Sequence, residues 1–573
     1  MKFNSRARLI ILIVIVLLFS GFLLTRLFFL QVVKNSYYLD QADRQYTRPT
    51  GGSFDRGDIY FSAKDGNLVS AATVKQGYII ALNPKLTTSA STTYSQLASL
   101  FTEAGLELEQ TDFFAKAAKT NDPYEVIASR VGQTLVDKIV GLKLKNISAV
   151  KERWRYYPAG TRAAHAIGLM GYQGDDYTGR YGLESSYDSL LSRNNDESFA
   201  NFFVEIFRGL NLSSATSSVA IEGDIVTTIE PTVQNYLEKV LIKTNDLYQA
   251  EMIGGIIMAP ATGEIIALGA LPNFNPGEKQ TDLSALANPL VENVYEMGSI
   301  VKALTMAAGL DAGAVTASTT YNDTGCLTLN KKEICNYDGK ARGVVSMQEV
   351  LNQSLNLGVT FVETKMGKTA FKRYFLAFGL GAKTGIDLAN EATGLLGTLN
   401  NNQDIEFATA SFGQGISVSP LEITRALASL ANGGKLIRPH LVKEKIYKTG
   451  LRSKVETEVQ AQVLKPTTSQ EITRMLVSVV DNKLANGKAK MEHMSIAAKT
   501  GTAQMVDPTT KKYYPDRYLH SFFGYFPASR PQYLIFLFIK YPKNVQYASE
   551  TLTDPFMDLT KFLLNYYSVP PDR

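Results

Sequence analysis

The chain has 573 residues, with 59 lysines and arginines against 54 aspartates and glutamates, a net charge of +5, and 45% apolar residues. That balance excludes a disordered, collagen-like or coiled-coil chain, and so mild a charge leaves no basic footprint for nucleic acid. At about 100–200 residues per domain, the length predicts two to four domains, each with its own core. Two cysteines, Cys326 and Cys335, exclude a disulfide scaffold and a Cys-rich zinc module. The four histidines, His165, His440, His493 and His520, lack metal-ligand spacing, so no metal chemistry is expected.

Residues 9–24 carry no charge, and after Thr25 and Arg26 the apolar character resumes through about residue 33. A spanning helix needs about 20 residues, so 9–33 is predicted to cross a membrane once. Arg26 falls near its end, where its stem can carry the charge to the headgroups. Lys2, Arg6 and Arg8 precede the span and only Arg26 and Lys34 follow closely, which predicts a cytoplasmic tail over 1–8 and an exterior remainder. A cleaved signal peptide would have a shorter apolar run and a small-residue exit. The exit here is the bulky Leu-Phe-Phe-Leu-Gln-Val-Val, which favours an uncleaved anchor.

Residues 34–225 read as a mixed α/β domain, with a β run over 77–82, a helix over 124–140 and a Ser-rich connector over 212–218. From 226 the pattern changes. A helix is predicted over 231–241 with Pro231 in its first turn, then two β-branched runs, 252–259 and 264–270, around the turn residues 260–263. Apolar helices follow over 300–310, 347–366 and 421–431. Strands return at 495–499, 521–526 and 533–539, before a last helix over 558–566. The predicted packing over 226–573 is α+β: a central antiparallel sheet drawn from both ends of the domain, with helices on both sides.

Three short patterns carry chemistry. Ser299 and Lys302 open an apolar helix three residues apart, on one face, so the lysine comes within reach of the hydroxyl. Burial among Val301, Leu304 and Met306 disfavours the ammonium form and suits Lys302 to act as the base that a weak serine nucleophile needs. Ser354 and Asn356 lie between helical segments, offering a hydroxyl to relay a proton and an amide to orient a substrate or the lysine. Lys499-Thr500-Gly501-Thr502 follows a strand-like run, where Gly501 admits close approach of a ligand backbone. Lys499 there supplies positive charge, and Thr500 and Thr502 supply donors, for a carboxylate. Each pattern alone also fits a plain helix start, helix interruption or strand end. Together and in this order they match the serine acyl-transferase set of penicillin-binding proteins and β-lactamases.

The chain therefore resembles a class B penicillin-binding protein, a monofunctional peptidoglycan transpeptidase. The resemblance extends to Arg56-Gly57-Asp58-Ile59 with Asp65-Gly66, and to residues 179–184 (GRYGLE), which resemble the family's non-catalytic pedestal. Gly413-Gln414-Gly415, Ser419-Pro420-Leu421 and residues 499–504 (KTGTAQ) resemble its catalytic signatures. Residues 521–525 (SFFGY) look closer to the division type than to the elongation type. The chain departs from the family at Met297 and Ala303, where proline is usual, and in aliphatic Ile300, Val301 and Leu355; no reacting group is lost.

What the resemblance implies is a pedestal over 34–225 and a transpeptidase domain over 226–573. Ser299 would attack the penultimate D-Ala of a D-Ala–D-Ala stem peptide. Lys302 would accept its proton, and Ser354 would return one to the departing D-Ala. The N–H groups of Ser299 and Thr502 would form the oxyanion hole, Lys499, Thr500 and Thr502 would hold the carboxylate, and Asn356 would contact the donor amide. An amine from a neighbouring strand would then resolve the acyl-enzyme, β-lactams would acylate Ser299 as mimics, and no cofactor is needed. With no room expected for a glycosyltransferase domain, the partner implied is a membrane glycan polymerase of the shape, elongation, division and sporulation family, together with divisome or elongasome proteins. Two other readings keep the same fold. One is a carboxypeptidase or β-lactam hydrolase, for which no deacylating glutamate is identifiable; the other is a low-activity scaffold or sensor, against which the complete residue set argues. Cys326 and Cys335 flank a possible turn at 330–332, leaving open a disulfide across a hairpin or two buried thiols.

Overall fold

The computed structural model describes residues 13, 17–23, 26, 54–174, 176–193, 222–507, 509–510 and 512–573. Most of the expected membrane span and all of the Ser-rich connector lie outside the described residues. Residues 17–23 are helical and exposed, and among the described residues no helix is long and apolar enough to cross a membrane.

The chain divides into two compact units. One comprises Lys75–Trp154 with the N-terminal residues; the other comprises Arg56–Val74 and Arg155–Arg573. In the first, helices Ala90–Glu103, Gln110–Ala117 and Gln133–Gly141 bury Leu97, Phe101, Phe113, Leu135 and Ile139 against Ile80, Leu82 and Val131. The helix expected over 124–140 is in fact a strand, Glu125–Val131, followed by the helix Gln133–Gly141. Val126 and Ile127 are β-branched, and Gly132 separates the elements as the helix N-cap. Pairing of Ala128 with Ile80 then decides the conformation that local propensity leaves ambiguous.

In the second unit, the strand Ile59–Ser62 pairs with Gly223–Thr227 in parallel, and Gly223–Thr227 pairs with Val442–Tyr447 in antiparallel fashion. Beside it lies a buried ionic cluster. Glu184 receives Arg56 Nε at 2.6 Å on one carboxylate oxygen and Arg155 Nε at 2.6 Å on the other. Arg155 also donates to the Gly57 carbonyl at 2.8 Å, so the two pedestal signatures of the sequence meet through one carboxylate.

The rest of this unit surrounds a five-stranded sheet, antiparallel throughout as expected. Its strands are β1 (Met252–Met258), β2 (Ile265–Leu271), β3 (Ala497–Val506), β4 (Tyr513–Phe526) and β5 (Tyr533–Lys540), in the order β3-β4-β5-β1-β2. Alternation sends Leu534, Phe536 and Phe538 to one face and Ile535, Leu537 and Ile539 to the other. The second face is covered by α1 (Pro231–Tyr248) and by the C-terminal helix Thr553–Tyr566, through Val233, Leu237, Phe556, Leu559 and Leu563. The first face meets α2 (Val301–Asp311), α3 (Asn356–Met366), α4 (Pro420–Ala431) and α5 (Pro466–Asn482). Helix α2 is buried on every side from Val301 to Gly309, which is why its sequence is apolar all round rather than striped.

One expected helix, 347–366, is two: Met347–Asn352 and α3, with Ser354 between them at φ 54°. The polar run Asn352-Gln353-Ser354 interrupts the apolar pattern at that point.

Replacing Glu184 by alanine would leave two buried guanidinium groups facing each other. The expected cost is about 3–5 kcal/mol, read as a large drop in unfolding midpoint; a midpoint unchanged from wild type would show that the cluster is not what joins these segments.

Candidate active site

Two amino groups and three hydroxyl-bearing segments converge at the edge of the sheet. Gly298–Ile300 forms a single 3₁₀ turn that leads into α2. Gly298 has φ 63°, and a Cβ there would come within 2.8 Å of the Thr502 carbonyl, so the turn is seated directly on β3. Gly298 N–H donates to the Gly413 carbonyl at 3.2 Å, which places the Gly413-Gln414-Gly415 loop behind it. Ser299 follows, half-buried, where backbone N–H groups at the helix start are unpaired by the helix itself.

One turn on, Lys302 is buried, 1% exposed. Its Nζ donates to the Ser354 carbonyl at 2.5 Å and to Ser354 Oγ at 3.2 Å. Ser354 presents both atoms to Lys302 because its left-handed backbone breaks the helix; that conformation costs on the order of 1–3 kcal/mol where a non-glycine residue adopts it. From the other side, Lys499 Nζ donates to the same Ser354 Oγ at 3.0 Å and to the Thr500 carbonyl at 3.0 Å. The Ser354 hydroxyl thus lies between two lysines, and the three sequence patterns meet in space.

Burial is the main influence on both lysines. It brings Lys499 down to about 7, and it holds Lys302 well below the ordinary lysine range, helped by the positive charge of Lys499. Of the two, Lys302 is pushed towards its neutral form by both burial and a neighbouring positive charge, and Lys499 by burial alone.

Lys499-Thr500-Gly501-Thr502 lies inside β3 rather than at a strand end. Successive side chains alternate, so Lys499 and Gly501 face one way and Thr500 and Thr502 the other. Gly501 serves a packing need that the sequence reading assigned to a ligand: a Cβ there would lie 2.4 Å from Ser521 Oγ, 2.7 Å from the Met297 carbonyl and 3.0 Å from the Ile300 nitrogen. Thr502 Oγ1 accepts the Ala548 N–H at 3.1 Å.

Asn356 starts α3, and its Nδ2 donates to the Cys335 carbonyl at 2.8 Å, leaving its side-chain oxygen free to accept. Cys335 and Cys326 are disulfide-bonded, directly opposite each other in a two-stranded hairpin. Asn336, the next residue, accepts the Leu357 N–H at 3.2 Å, so the hairpin braces the first turn of α3 twice. Among the described residues, the only set of three His, Cys, Asp or Glu side chains close enough to share an ion is Cys326, Glu333 and Cys335, whose sulfurs bond to each other.

Two supporting residues were missed in the sequence. Ser521 donates to the Met297 carbonyl at 2.7 Å and locks the turn before Ser299; a lone small hydroxyl in an otherwise aromatic strand was its only signal. Glu296 accepts from Gly415 N–H at 2.9 Å and from Tyr513 Oη at 3.0 Å. Nothing in its local sequence marks that role.

The family model described as penicillin binding protein transpeptidase domain matches residues 253–559, and that of the penicillin-binding protein dimerisation domain matches 54–199. The chain is 27% identical over 543 residues to stage V sporulation protein D of Bacillus subtilis, covering 93% of this chain and 81% of that protein. It is 27% identical over 565 residues to peptidoglycan D,D-transpeptidase FtsI of Escherichia coli K12, covering 97% and 91% respectively. The fold is shared with penicillin binding protein 3 of Mycobacterium tuberculosis in its complex with aztreonam. There the TM-score is 0.67 at 20% identity, over 92% of this chain and 98% of that one.

Two outcomes follow from the packing and the lysines. Gly501→Ala must push the Met297–Ile300 turn off β3, and acylation of the protein by a penicillin should fall by at least about tenfold while the fold survives; an unchanged rate would mean the turn yields freely. Lys499 binds its proton more weakly folded, at about 7, than unfolded, at about 10.4. The unfolded chain therefore holds more protons between those values, and stability should rise with pH from about 7 to 10. Lys499→Met should flatten that rise in a pH series of urea unfolding.

Proposed function

Because this chain belongs to the class B penicillin-binding proteins of the division type, and is a serine-type peptidoglycan D,D-transpeptidase of cell-wall synthesis, we propose that Ser299 is its nucleophile and Lys302 the base that activates it. The observation that carries this reading is the Ser354 hydroxyl held between Lys302 Nζ at 3.2 Å and Lys499 Nζ at 3.0 Å. An uncharged amine one helical turn from a half-buried serine can take a proton, whereas an exposed ammonium cannot. Burial, and then the positive charge of Lys499, lower the proton affinity of Lys302 and so favour the neutral amine that a base requires.

The Ser299 proton passes to Lys302 Nζ as Oγ bonds to the carbonyl carbon of the penultimate D-Ala, and the oxygen gains the negative charge. The N–H groups of Ser299 and Thr502 stabilise that oxyanion; one such donor is worth on the order of 10²–10³ in rate. The carbonyl re-forms as the C–N bond to the terminal D-Ala breaks, and the proton on Lys302 reaches the leaving nitrogen through the Ser354 hydroxyl. Thr500 and Thr502 hold the terminal carboxylate from one face of β3, with the charge of Lys499 on the other; the free Asn356 oxygen accepts the donor-peptide N–H. An amine from a neighbouring stem peptide then attacks the ester, Ser299 recovers its proton, and a crosslink remains. β-Lactams enter the same path as amide mimics, their carboxylate on the same threonines.

The domain reading that goes with this chemistry is a short cytoplasmic tail over 1–8, an anchor over 9–33, a pedestal over 34–225 and the transpeptidase domain over 226–573. The charge-free run before Thr25 and the bulky exit after it support a single span with the enzyme outside. The disulfide supports the same side of the membrane, since such bonds persist in oxidising surroundings. The chain would work beside a separate membrane glycan polymerase of the shape, elongation, division and sporulation family and the divisome proteins around it, taking lipid-linked or nascent glycan as substrate.

A fluorescent penicillin should label the protein, and Ser299→Ala should abolish labelling; label retained by that variant would remove Ser299 as nucleophile. Lys302→Ala should slow acylation by about 10²–10⁴. With a polymerase and lipid-linked substrate, crosslinked rather than trimmed muropeptides are expected, and trimming alone would favour a carboxypeptidase.

A further inference from the structure

Thr502 does not stand alone on its face of β3. The segment after β5 folds back beside it, and the short helix Ala548–Thr551 begins with the Ala548 N–H on Thr502 Oγ1. A hydroxyl has one hydrogen and two accepting positions. With one accepting position occupied from the Ala548 side, the hydrogen of Thr502 is directed elsewhere, towards whatever accepts it across the cleft.

What holds Ala548 there is a histidine no other part of the chemistry uses. His520 lies in β4, paired directly with Thr502 in the register of the two strands, and is wholly buried. Its Nε2 lies 3.0 Å from the Gln546 carbonyl and its Nδ1 lies 2.9 Å from Thr551 Oγ1. A carbonyl only accepts, so Nε2 carries the hydrogen and Nδ1 accepts from the Thr551 hydroxyl, whose one hydrogen favours this shorter contact over the Ala548 carbonyl at 3.3 Å. Burial brings the imidazole down to about 4, consistent with one ring hydrogen rather than two. The two bonds grip the segment on both sides of Ala548.

We propose that His520 is a positioning residue for the acyl-donor carboxylate: by fastening Gln546 and Thr551 to the sheet, it holds the Ala548 N–H on Thr502 and so aims the Thr502 hydroxyl hydrogen at the anion. This rests on the reading that Thr502 binds the carboxylate, and the test separates the two.

The full-length chain in detergent is acylated with benzylpenicillin and with its methyl ester, which lacks the anion. Ala548→Pro removes the donated hydrogen directly; the position is the first of its helix, where proline is tolerated, and Tyr547 before it is already extended. His520→Leu removes the anchor, and His520→Gln keeps one donor. Ala548→Pro and His520→Leu should each lower the second-order acylation rate for benzylpenicillin about tenfold, through weaker binding, with the ester changed less than about twofold. His520→Gln should restore part of the loss, and Ala548→Pro should add nothing to Thr502→Val. If Thr502→Val loses its preference for the acid over the ester while Ala548→Pro and His520→Leu keep theirs, the inference is overturned. Equal losses on acid and ester in those two variants overturn it as well, since they would report general loosening. If Thr502→Val itself keeps the preference, the carboxylate reading of Thr502 falls first.

Discussion

A single hydroxyl, that of Ser354, accepts from two buried lysines, and the catalytic half of the molecule is organised around keeping it there. Taking two amines out of water is unfavourable to each as a cation, so both lysines are driven towards their neutral forms. The surroundings make that environment durable. Helix α2 is apolar on all sides, β3 presents Lys499 from the opposite wall, and the broken helix before α3 delivers a carbonyl and a hydroxyl together. A regular helix through residue 354 would have spent that carbonyl on its own ladder.

Much of this was legible in the residues, for reasons that differ by element. The hairpin of β1 and β2 and the alternation in β5 follow from β-branched runs and their period of two, which any burial on both faces requires. The convergence of Ser299, Lys302, Ser354 and Lys499 was legible only as a set, because each short pattern is common alone. Three things were not. Pairing with a distant strand turned Glu125–Val131 from helix to strand, and propensity has no access to partners such as Ile80, 48 residues before Ala128. The break at Ser354 depends on Lys302, 52 residues earlier, as a hydrogen-bond partner. The need for glycine at 501 lies in the Met297–Ile300 turn rather than in a ligand, and close backbone approach leaves no trace in spacing.

The buried Arg56–Glu184–Arg155 cluster carries a related lesson. The two arginines take opposite oxygens of one carboxylate, Arg56 also pairs with Asp188 at 2.8 Å, and Arg56 lies far from both acids in the chain. Such pairs add little net stability over apolar packing, yet they punish any arrangement that separates them. They therefore act more on which segments join than on how strongly, a role suited to a chain whose strand at 59–62 must find partners at 223–227 and, through them, at 442–447.

β3 closes one border of the five-stranded sheet, and among the described residues no strand pairs with its outer side. An unpaired border of this kind is where, in general, an extended peptide can join a sheet as a further strand. Recognition written in backbone hydrogen bonds reads the direction and chirality of a guest more than its side chains.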